Sequence, residues 1–564
     1  MADDELNLTQ WSALVALLLL LLVPLAVAGA AGARRRYVRA ITLLQTELTR
    51  GDGHVDLHRP TAPPNRVLLT IVRRPAAEII QTAAARPAQR LRRRVLGVQF
   101  VAGLLYWWLL LLALIAALAM WQQLAGEAAG DSDDVDALAG HLFLWPLLVL
   151  PALLGWAFQA GLPENRVWAA AGLGLLGFGL GVAGLGAGLW AGAAVAAAAA
   201  VLAAMLAAFL RPAVRGAGPP LVAALSVGMV VLAFGVAIGA SFDDSDDTPI
   251  SAEDWLWGIG WLLLVLAAAG AAAWRMLLRL ARRYHERRFS DQQMALHAYW
   301  GLITAYCGGA VLMISFDDRT GHAMEWMAAV VGLAWTGWRA LERAALWIAR
   351  RRAPAPCGAL LMLRVFKPSA RSEAFTDRFL ARWRFAGPTW MIAGPDLAGG
   401  NLEPDEFFAF LRGRLRERFI VTEDEVAAQV QALASDRDPD GRCRVHELFC
   451  SNATWRSTVL ALMDQAGVVL LDLREYHPAR LGTRFELEAV LQRVPLSRLI
   501  VLVGADDDLA PVQAQIADAW RMVDPRQRPD DAPRLNVLAV GAGTAAEMQG
   551  LMAAATAATT TSGR

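Results

Sequence analysis

Ionisable and aromatic side chains are concentrated in one stretch of the chain, between Asp472 and Glu488. The stretch follows a short apolar run, Val468–Leu473, that is typical of a buried strand, and it leads into the pattern of a helix. In parallel sheets, ligands bind where strands end and helices begin, because loops and helix N-termini expose unpaired N–H groups there. Carboxylates, an arginine and a tyrosine at such an edge are suited to bind a small polar ligand.

A second polar loop follows the first predicted strand, Ala359–Phe366. It reads Lys367-Pro368-Ser369-Ala370-Arg371-Ser372-Glu373, in which a hydroxyl or a basic side chain could meet a phosphate at the start of a helix. The same string is also explained by Ser369 as a simple helix N-cap with Glu373 in the first turn. Both interpretations stay open on the sequence alone.

The run from Val468 to Leu491 resembles the central segment of Toll/interleukin receptor (TIR) domains: a buried strand, a loop with a tyrosine, and a helix whose first turn carries an aromatic residue followed by Glu-Leu. Phe366–Glu373 resembles, more loosely, the opening strand and the phosphate-side loop of that family. In the enzymatic branch of the family, the helix glutamate assists cleavage of the nicotinamide–ribose bond of NAD, and the matching position here is Glu486. The resemblance therefore implies Glu486 as the catalytic residue and NAD as the substrate, with no cofactor required.

Two glutamates lie in the first turns of the predicted helix, Glu486 and Glu488. Glu488, two residues after Glu486, points about 160° away from it on a helix, so only one of these carboxylates can face the cleft. The alternative for Glu486 is electrostatic capping of its helix, with the side chain solvated.

The resemblance also implies a set of ligand-binding residues. These are Arg364, Ser369 and Arg371 toward phosphate or ribose, Asp472 at the end of its strand, and Tyr476 or Phe485 against a ring.

No metal site is predicted. Asp436–Gly441 lacks the ligand series of a calcium loop, which ends in a bidentate glutamate. Cys443, His446, Glu447 and Cys450 lie close together without the spacing of a zinc site, which favours an ordinary strand or loop over a metal or thiol site.

The elements that must position these residues are predicted from about Cys357 onwards, where short apolar runs alternate with amphipathic stretches. This pattern is typical of a parallel sheet with helices on both faces, and we predict a flavodoxin-like or TIR-like α/β domain over residues 354–545, with an insertion at 395–450 and a flexible tail at 546–564. The predicted strands are Ala359–Phe366, Thr389–Ala393, Val468–Leu473, Leu499–Val503 and Asn536–Val540.

The first 352 residues contain apolar runs as long as a helix needs to cross a bilayer. We therefore predict an α-helical polytopic membrane domain over 1–352, with about nine spans and a cytosolic loop at 37–94. The predicted spans are roughly 11–33, 96–121, 141–162, 167–188, 191–210, 219–240, 255–275, 294–316 and 325–347.

Charged connections between these runs alternate in sign, beginning with Arg34–Arg36 after the first run. By the positive-inside rule, this alternation predicts an N-out, C-in protein of the bacterial inner membrane whose α/β domain is cytosolic. The loop 37–94 carries a strand-like run, Val67–Val72, and could lie along the inner leaflet or dock on the α/β domain. Polar residues such as His297 and Arg339 fall near predicted span ends, where they could reach the interface.

Partners follow from charge and from small residues. A net charge of +1 gives no electrostatic case for nucleic acid. Gly177/Gly181 and Gly184/Gly188 allow close helix packing, either within the chain or in a homo-oligomer. We thus expect the lipid bilayer as a partner. A second copy of the chain and a nucleotide ligand are further candidate partners.

Three functions are compatible with the sequence. The first is a membrane-anchored signalling or defence effector that cleaves NAD. The second is a nucleotide- or protein-binding signalling module without catalysis. The third is a membrane-disrupting effector whose soluble domain is the sensor.

Overall fold

The computed structural model describes residues 2–48, 65–79, 83–125, 145–160, 172, 216–240, 252–315, 321–364, 369–393, 402–433, 435–477, 481–524 and 533–560. The chain divides into two compact units. The first unit comprises residues 1–36, 96–346 and 401–408, and the second comprises 37–95, 347–400 and 409–564.

Long helices dominate the chain up to Arg350. In the fourth and fifth of these helices, glycine permits close approach: a Cβ on Gly235 would lie 2.5 Å from Val265. The Trp261 indole N–H also donates a hydrogen bond to the Gly235 carbonyl at 2.8 Å. The helices are α1 Ala2–Leu48, α2 Arg86–Ala125, α3 Trp145–Ala160, α4 Gly218–Ala240, α5 Ala252–His285, α6 Asp291–Ser315 and α7 Gly321–Arg350.

The prediction of about nine membrane spans is wrong. In the described part of the chain, two helical segments are long and apolar enough to cross a membrane, Arg86–Leu112 and Trp255–His285. The predicted span 191–210 and nearly all of 167–188 lie outside the described residues, as do the glycine pairs at 177–188. The two segments indicate association with a membrane and do not establish a multi-pass topology.

Apolar runs failed as a measure of spans because a helix buried among other helices needs the same composition as one in lipid. In α6, Trp300 is buried beside Tyr106 of α2, with ring centroids 5.6 Å apart. Trp338 of α7 stacks on the same tyrosine at 4.9 Å. By contrast, α5 exposes 70% of Leu256 and 74% of Trp257, an arrangement that suits lipid far better than water.

Two residues predicted to reach the membrane interface, His297 and Arg339, form a buried ion cluster instead. Glu342 Oε2 lies 2.9 Å from His297 Nε2 and 2.8 Å from Arg339 Nη1, and Arg339 also contacts His297. Glu342 is 1% exposed, and its Oε1 has no hydrogen-bond partner. Removing one member of a buried ion pair is strongly destabilising, by about 3–5 kcal/mol, so this cluster fixes α6 against α7.

The second unit contains a parallel sheet, which confirms that part of the predicted fold. Each of the five predicted strands is present to within two residues at either end. Within the described residues the sheet has eight strands in the order β1-β8-β7-β6-β2-β3-β5-β4. The strands are β1 Thr70–Pro75, β2 Leu360–Arg364, β3 Thr389–Ala393, β4 Phe419–Ile420, β5 Val445–Cys450, β6 Val468–Asp472, β7 Leu499–Gly504 and β8 Arg534–Val540.

Five central strands, β3-β2-β6-β7-β8, have the 2-1-3-4-5 order of flavodoxin-like sheets. The insertion 395–450 extends one edge with β5 and β4. Central strands are buried on both faces, as parallel sheets require, and residues such as Leu361, Val469 and Val501 form the core. The connecting helices are α8 Ala370–Trp383, α9 Pro404–Leu411, α10 Glu423–Gln431, α11 Trp455–Gln465, α12 Leu481–Arg493 and α13 Ala510–Arg521.

The tail expected at 546–564 needs correction, because a further helix, α14, spans Ala545–Thr560. Its Met548, Leu551 and Ala555 are fully buried. Alanine-rich stretches have high helix propensity, and small side chains allow close packing, so this composition suits a docked helix as well as a frayed one. Residues 561–564 lie outside the described part.

The loop 37–94 supplies the edge strand β1, which pairs with β8 over six residue pairs. The Trp520 indole N–H donates to the Val67 carbonyl at 2.8 Å, and Arg73 Nη2 donates to the Ala505 carbonyl at 3.0 Å. Of the two interpretations of this loop, docking on the α/β domain is therefore confirmed for the strand.

Gly550→Ala should release the segment that follows β1. A Cβ on Gly550 would lie 1.7 Å from the Ala76 carbonyl oxygen, so α14 or that segment must move. Overpacking of this kind costs about 1–3 kcal/mol, and limited trypsinolysis at Arg66 and Arg73 should become about tenfold faster. Gln549→Ala, at an exposed site on the same helix, should be cleaved at the wild-type rate. Equal rates for both variants would contradict the close packing.

Candidate active site at the carboxyl edge of the sheet

The connections that leave β2 and β6 run to opposite sides of the sheet. β2 leads through α8 to β3 on one side, and β6 leads through α12 to β7 on the other. The two strands are neighbours, and their last residues, Arg364 and Asp472, are register partners. In doubly wound sheets a ligand crevice lies outside the carboxyl ends of the strands at such a switch point. The two polar stretches recognised in the sequence therefore meet there.

Ser369 is the N-cap of α8, as the simpler interpretation of its loop predicts, and its hydroxyl accepts a hydrogen bond from the Ser372 N–H. The Glu475 carboxylate covers this helix N-terminus. It accepts hydrogen bonds from the Ser369 N–H at 3.1 Å, the Ser369 hydroxyl at 2.5 Å and the Ser372 hydroxyl at 2.8 Å. These hydrogen bonds, that of Ser369 foremost, lower the pKa of Glu475. An anion already occupies the position at which a phosphate was expected.

Glu475 has a backbone φ of +59°, in the left-handed region that residues with a Cβ rarely adopt. This conformation costs roughly 1–2 kcal/mol for most residues. The three hydrogen bonds to Ser369 and Ser372 hold it in place. Such strain is often found at ligand sites, where a loop has two arrangements of similar free energy.

Asp472, expected to bind a ligand, is instead bound by Arg474. Its carboxylate accepts from Arg474 Nε at 2.8 Å and from Arg474 Nη2 at 2.5 Å, and both side chains are buried. The Arg474 guanidinium also lies 4.4 Å from the Phe375 ring centroid and donates to Thr376 of α8 at 3.3 Å. This pair clamps the loop after β6 onto α8.

The other residues expected to face phosphate or ribose are spread over the edge. Arg364 is half-buried, and its Nε is buried with no hydrogen-bond partner. Its charge acts on Glu447 of β5: burial raises the pKa of Glu447, and Arg364 opposes that rise. Arg371 is exposed on α8.

Glu486 of α12 is buried, with 4% of its surface exposed, and its Oε2 has no hydrogen-bond partner. The alternative of a solvated helix-capping side chain is therefore wrong. Thr483, three residues earlier on the same helix face, is 1% exposed, and its hydroxyl also has no partner. Glu488 lies on another face and pairs with Arg484 at 2.9 Å.

The two aromatic candidates differ. Phe485 packs edge-on against Trp455, with centroids 5.1 Å apart, beneath the Arg456 guanidinium. Tyr476 is half-buried, and its hydroxyl is a buried atom without a partner. Three polar groups without a hydrogen-bond partner thus follow β6: Tyr476 in the loop, and Thr483 and Glu486 on α12.

Residues considered for metal binding have other partners. Asp438 and Asp440 pair with Arg444 at 3.0 Å and with Arg442 at 2.5 Å. Burial raises the pKa of Asp438 to about 6. Glu447 lies within strand β5, as the simpler interpretation of that stretch predicts.

Burial raises the pKa of Glu486 to about 8. At neutral pH, the carboxyl group of Glu486 therefore carries its proton. A positive charge brought next to it would favour the ionised form, because Coulomb attraction would offset the cost of burial. The hydroxyls of Thr483 and Tyr476 can each donate and accept a hydrogen bond. The arrangement suits a polar ligand with cationic character.

The sequence placed Arg474, Glu475 and Thr483 in the polar stretch after β6 but did not single them out as residues of the site. Glu475 and Ser369 are 106 residues apart, so their contact leaves no local pattern. The signal that could have found Thr483 is its spacing of three from Glu486 on one helix face.

Comparison of the chain with protein-family models, with curated proteins and with solved structures gives no match. The resemblance to TIR domains remains a prediction that rests on the residues between Val468 and Leu491.

Glu486→Gln should protect the protein from destabilisation at alkaline pH. A carboxyl group whose pKa rises from 4.5 to about 8 on folding contributes fully below pH 4.5, and that contribution is lost as the pH rises through about 8. The loss is on the order of several kcal/mol, and glutamine has no proton to give up. Thermal melting of the detergent-solubilised chain at pH 5 and pH 9 should show a smaller fall in Tm for this variant than for the wild type.

The matched control is Glu488→Gln, which changes a half-buried carboxylate that is paired with Arg484 on another face of the same helix. Its melting temperature should follow the pH dependence of the wild type. An equal fall in Tm for Glu486→Gln and wild type would show that Glu486 is not held as a neutral acid.

Proposed function

We propose that the chain is a membrane-associated, TIR-like effector in bacterial signalling or defence, which cleaves the nicotinamide–ribose bond of NAD at the carboxyl edge of its sheet. The observation that carries the proposal is Glu486, a buried acid with an unpartnered oxygen on the helix after the switch-point strand. An unsatisfied buried polar group is unfavourable for folding, and such groups are typical of sites that a ligand completes. The resemblance to the family points to the same residue.

The chemistry follows from the charge of NAD. Its nicotinamide ring is cationic, and its approach would lower the pKa of Glu486, so that the carboxyl proton leaves as the ligand binds. The carboxylate then stabilises the positive charge that develops on the ribose as the C1′–N bond breaks and its electron pair leaves with the ring. Water adds to C1′ and loses a proton, which gives nicotinamide and ADP-ribose.

The neighbouring hydroxyls orient the ligand in this proposal. Thr483 and Tyr476 each have a hydroxyl without a partner, and both would bond to the ribose hydroxyls or the carboxamide. The Asp472–Arg474 pair would act by holding the loop after β6, without touching the reacting atoms.

A cytosolic location at the bacterial inner membrane is part of the proposal. Arg90–Arg94 precede the apolar stretch of α2, and the last turn of α5 contains Arg282 and Arg283. Both candidate spans thus carry arginines at one end, which favours the cytosolic side for that end. β1 precedes Arg90 in the chain and is part of the sheet, so the sheet would share this side.

The alternative is a nucleotide-binding signalling module without catalysis. The observation that favours it is Glu475, which covers the α8 N-terminus from a strained backbone conformation. A ligand that displaced Glu475 would rearrange the loop after β6 without any bond being broken.

Nicotinamide release from NAD by the purified full chain, concentrated in proteoliposomes, tests the proposal. Glu486→Gln should lower kcat/KM by about 10²–10⁴, the range for loss of an acid–base or charge-stabilising group. Glu488→Gln should stay within about twofold of the wild type, because its side chain faces away from Glu486. Wild-type activity in Glu486→Gln would contradict the assignment, and binding of NAD without release would favour the signalling module.

The pH profile gives an independent prediction. Because the ionised form of Glu486 would act and its pKa in the free enzyme is about 8, kcat/KM for NAD should rise tenfold per pH unit below about pH 8 and level off above it. Initial rates at low NAD concentration between pH 6 and pH 9.5 measure this profile. A flat profile over that range would rule out a neutral Glu486 as the resting state.

A further inference from the structure

Two cavities lie beside the first turns of α2, and arginines supply the charged part of both linings. The smaller encloses about 120 Å³ and the larger about 530 Å³. Among the described residues, neither lining includes an acidic side chain. The six arginines, which we call the arginine collar, are Arg92, Arg93 and Arg382 in the smaller cavity and Arg90, Arg94 and Arg352 in the larger.

The collar encircles the helix. Arg90 and Arg94 are four residues apart and share a face of α2, whereas Arg92 is two residues from each and points roughly 160° away. Arg382 comes from the last turn of α8, and Arg352 follows the end of α7. Three separate parts of the second unit therefore bring cations to one level of one helix.

Holding the arginines of the collar close together is unfavourable in free energy, because like charges repel. Arg92, Arg93 and Arg382 line the same cavity. Burial and the neighbouring Arg378 lower the pKa of Arg382. An anion bound among these side chains would relieve both the desolvation and the repulsion.

The collar lies on the first turns of a helix that is a candidate to cross a membrane, a position that would meet lipid headgroups. The segment Arg86–Leu112 is long and apolar enough to span a membrane, and its arginines end at Arg94. Basic clusters next to a span attract anionic lipids at about 1 kcal/mol per arginine, and guanidinium groups bind phosphate oxygens in bidentate geometry. The position favours a headgroup phosphate over a soluble one.

We propose that the arginine collar binds the phosphate groups of anionic phospholipids and so fixes the sheet domain at the membrane surface. The proposal does not depend on the chemistry of Glu486. A chain without NAD-cleaving activity would still bind such lipids, and loss of lipid binding would leave the assignment of Glu486 untouched.

The test uses the full chain in detergent, titrated with dansyl-labelled phosphatidylglycerol, with energy transfer from tryptophan as the signal. The double variant Arg92→Gln/Arg382→Gln should bind this lipid roughly thirtyfold more weakly than the wild type. Arg90→Gln/Arg94→Gln should weaken binding to a similar degree at the other cavity, so the test survives if one variant fails to fold. Unlabelled phosphatidylglycerol should compete at least tenfold better than phosphatidylcholine, by the same arithmetic.

Arg414→Gln/Arg521→Gln is the matched control, since it removes the same charge from two side chains that are 63% and 66% exposed. Its affinity should stay within about threefold of the wild type. Wild-type affinity in both collar variants, or equal loss in the control, would overturn the proposal. Inorganic phosphate that displaced the probe as effectively as phosphatidylglycerol would overturn the lipid source of the ligand.

Discussion

Parallel strands impose a requirement that organises the second unit: neighbouring strands cannot be joined by tight turns, and both faces of the sheet must be covered. Crossover helices join the strands and cover most of the sheet. Two further elements, an edge strand and a helix, come from distant parts of the chain. β1 comes from the loop at 37–94 and covers the edge at β8, whereas α14 comes from the carboxyl end and packs on the residues after β1. Because all strands point the same way, the loops and first helical turns that carry Ser369, Glu475 and Glu486 follow the same edge of the sheet.

Charged groups at that edge fall into two energetic classes. Asp472 and Arg474 are buried but paired, so each offsets the desolvation of the other, and the pair positions a loop. Glu486 is buried without a partner for one oxygen and retains its proton instead. A structural role would be met better by glutamine or leucine at this position, because neither can ionise. The free energy lost by placing an acid there is explained if a ligand supplies the missing charge.

Sequence patterns predicted the strands that are buried on both faces. Strands such as β6 and β7 are buried on both faces, and a continuous apolar run is the only composition that suits them. β5 was predicted only as an ordinary strand or loop, because His446 and Glu447 interrupt its apolar run, and β4 was not predicted because it has two residues. The number of membrane spans in residues 1–352 was predicted wrongly, because hydropathy reports the composition of a helix and does not show whether protein or lipid surrounds it. Glu486 could be singled out locally, but the contacts of Glu475 with Ser369 and of Glu342 with His297 depend on tertiary packing.

The position of the Glu475 carboxylate bears on which part of a nucleotide would bind first. Glu475 satisfies the N–H and hydroxyl of Ser369 and the hydroxyl of Ser372, so the α8 N-terminus has no attraction for a phosphate until that carboxylate moves. Glu486, in contrast, gains from a cation at once. A ligand with a cationic ring and a pyrophosphate would therefore be held first by its ring, and release of the Glu475 backbone from φ +59° would repay part of the cost of admitting its phosphates. A ligand with phosphates but no cation lacks that first step, so under the proposed function the edge would discriminate against it by charge.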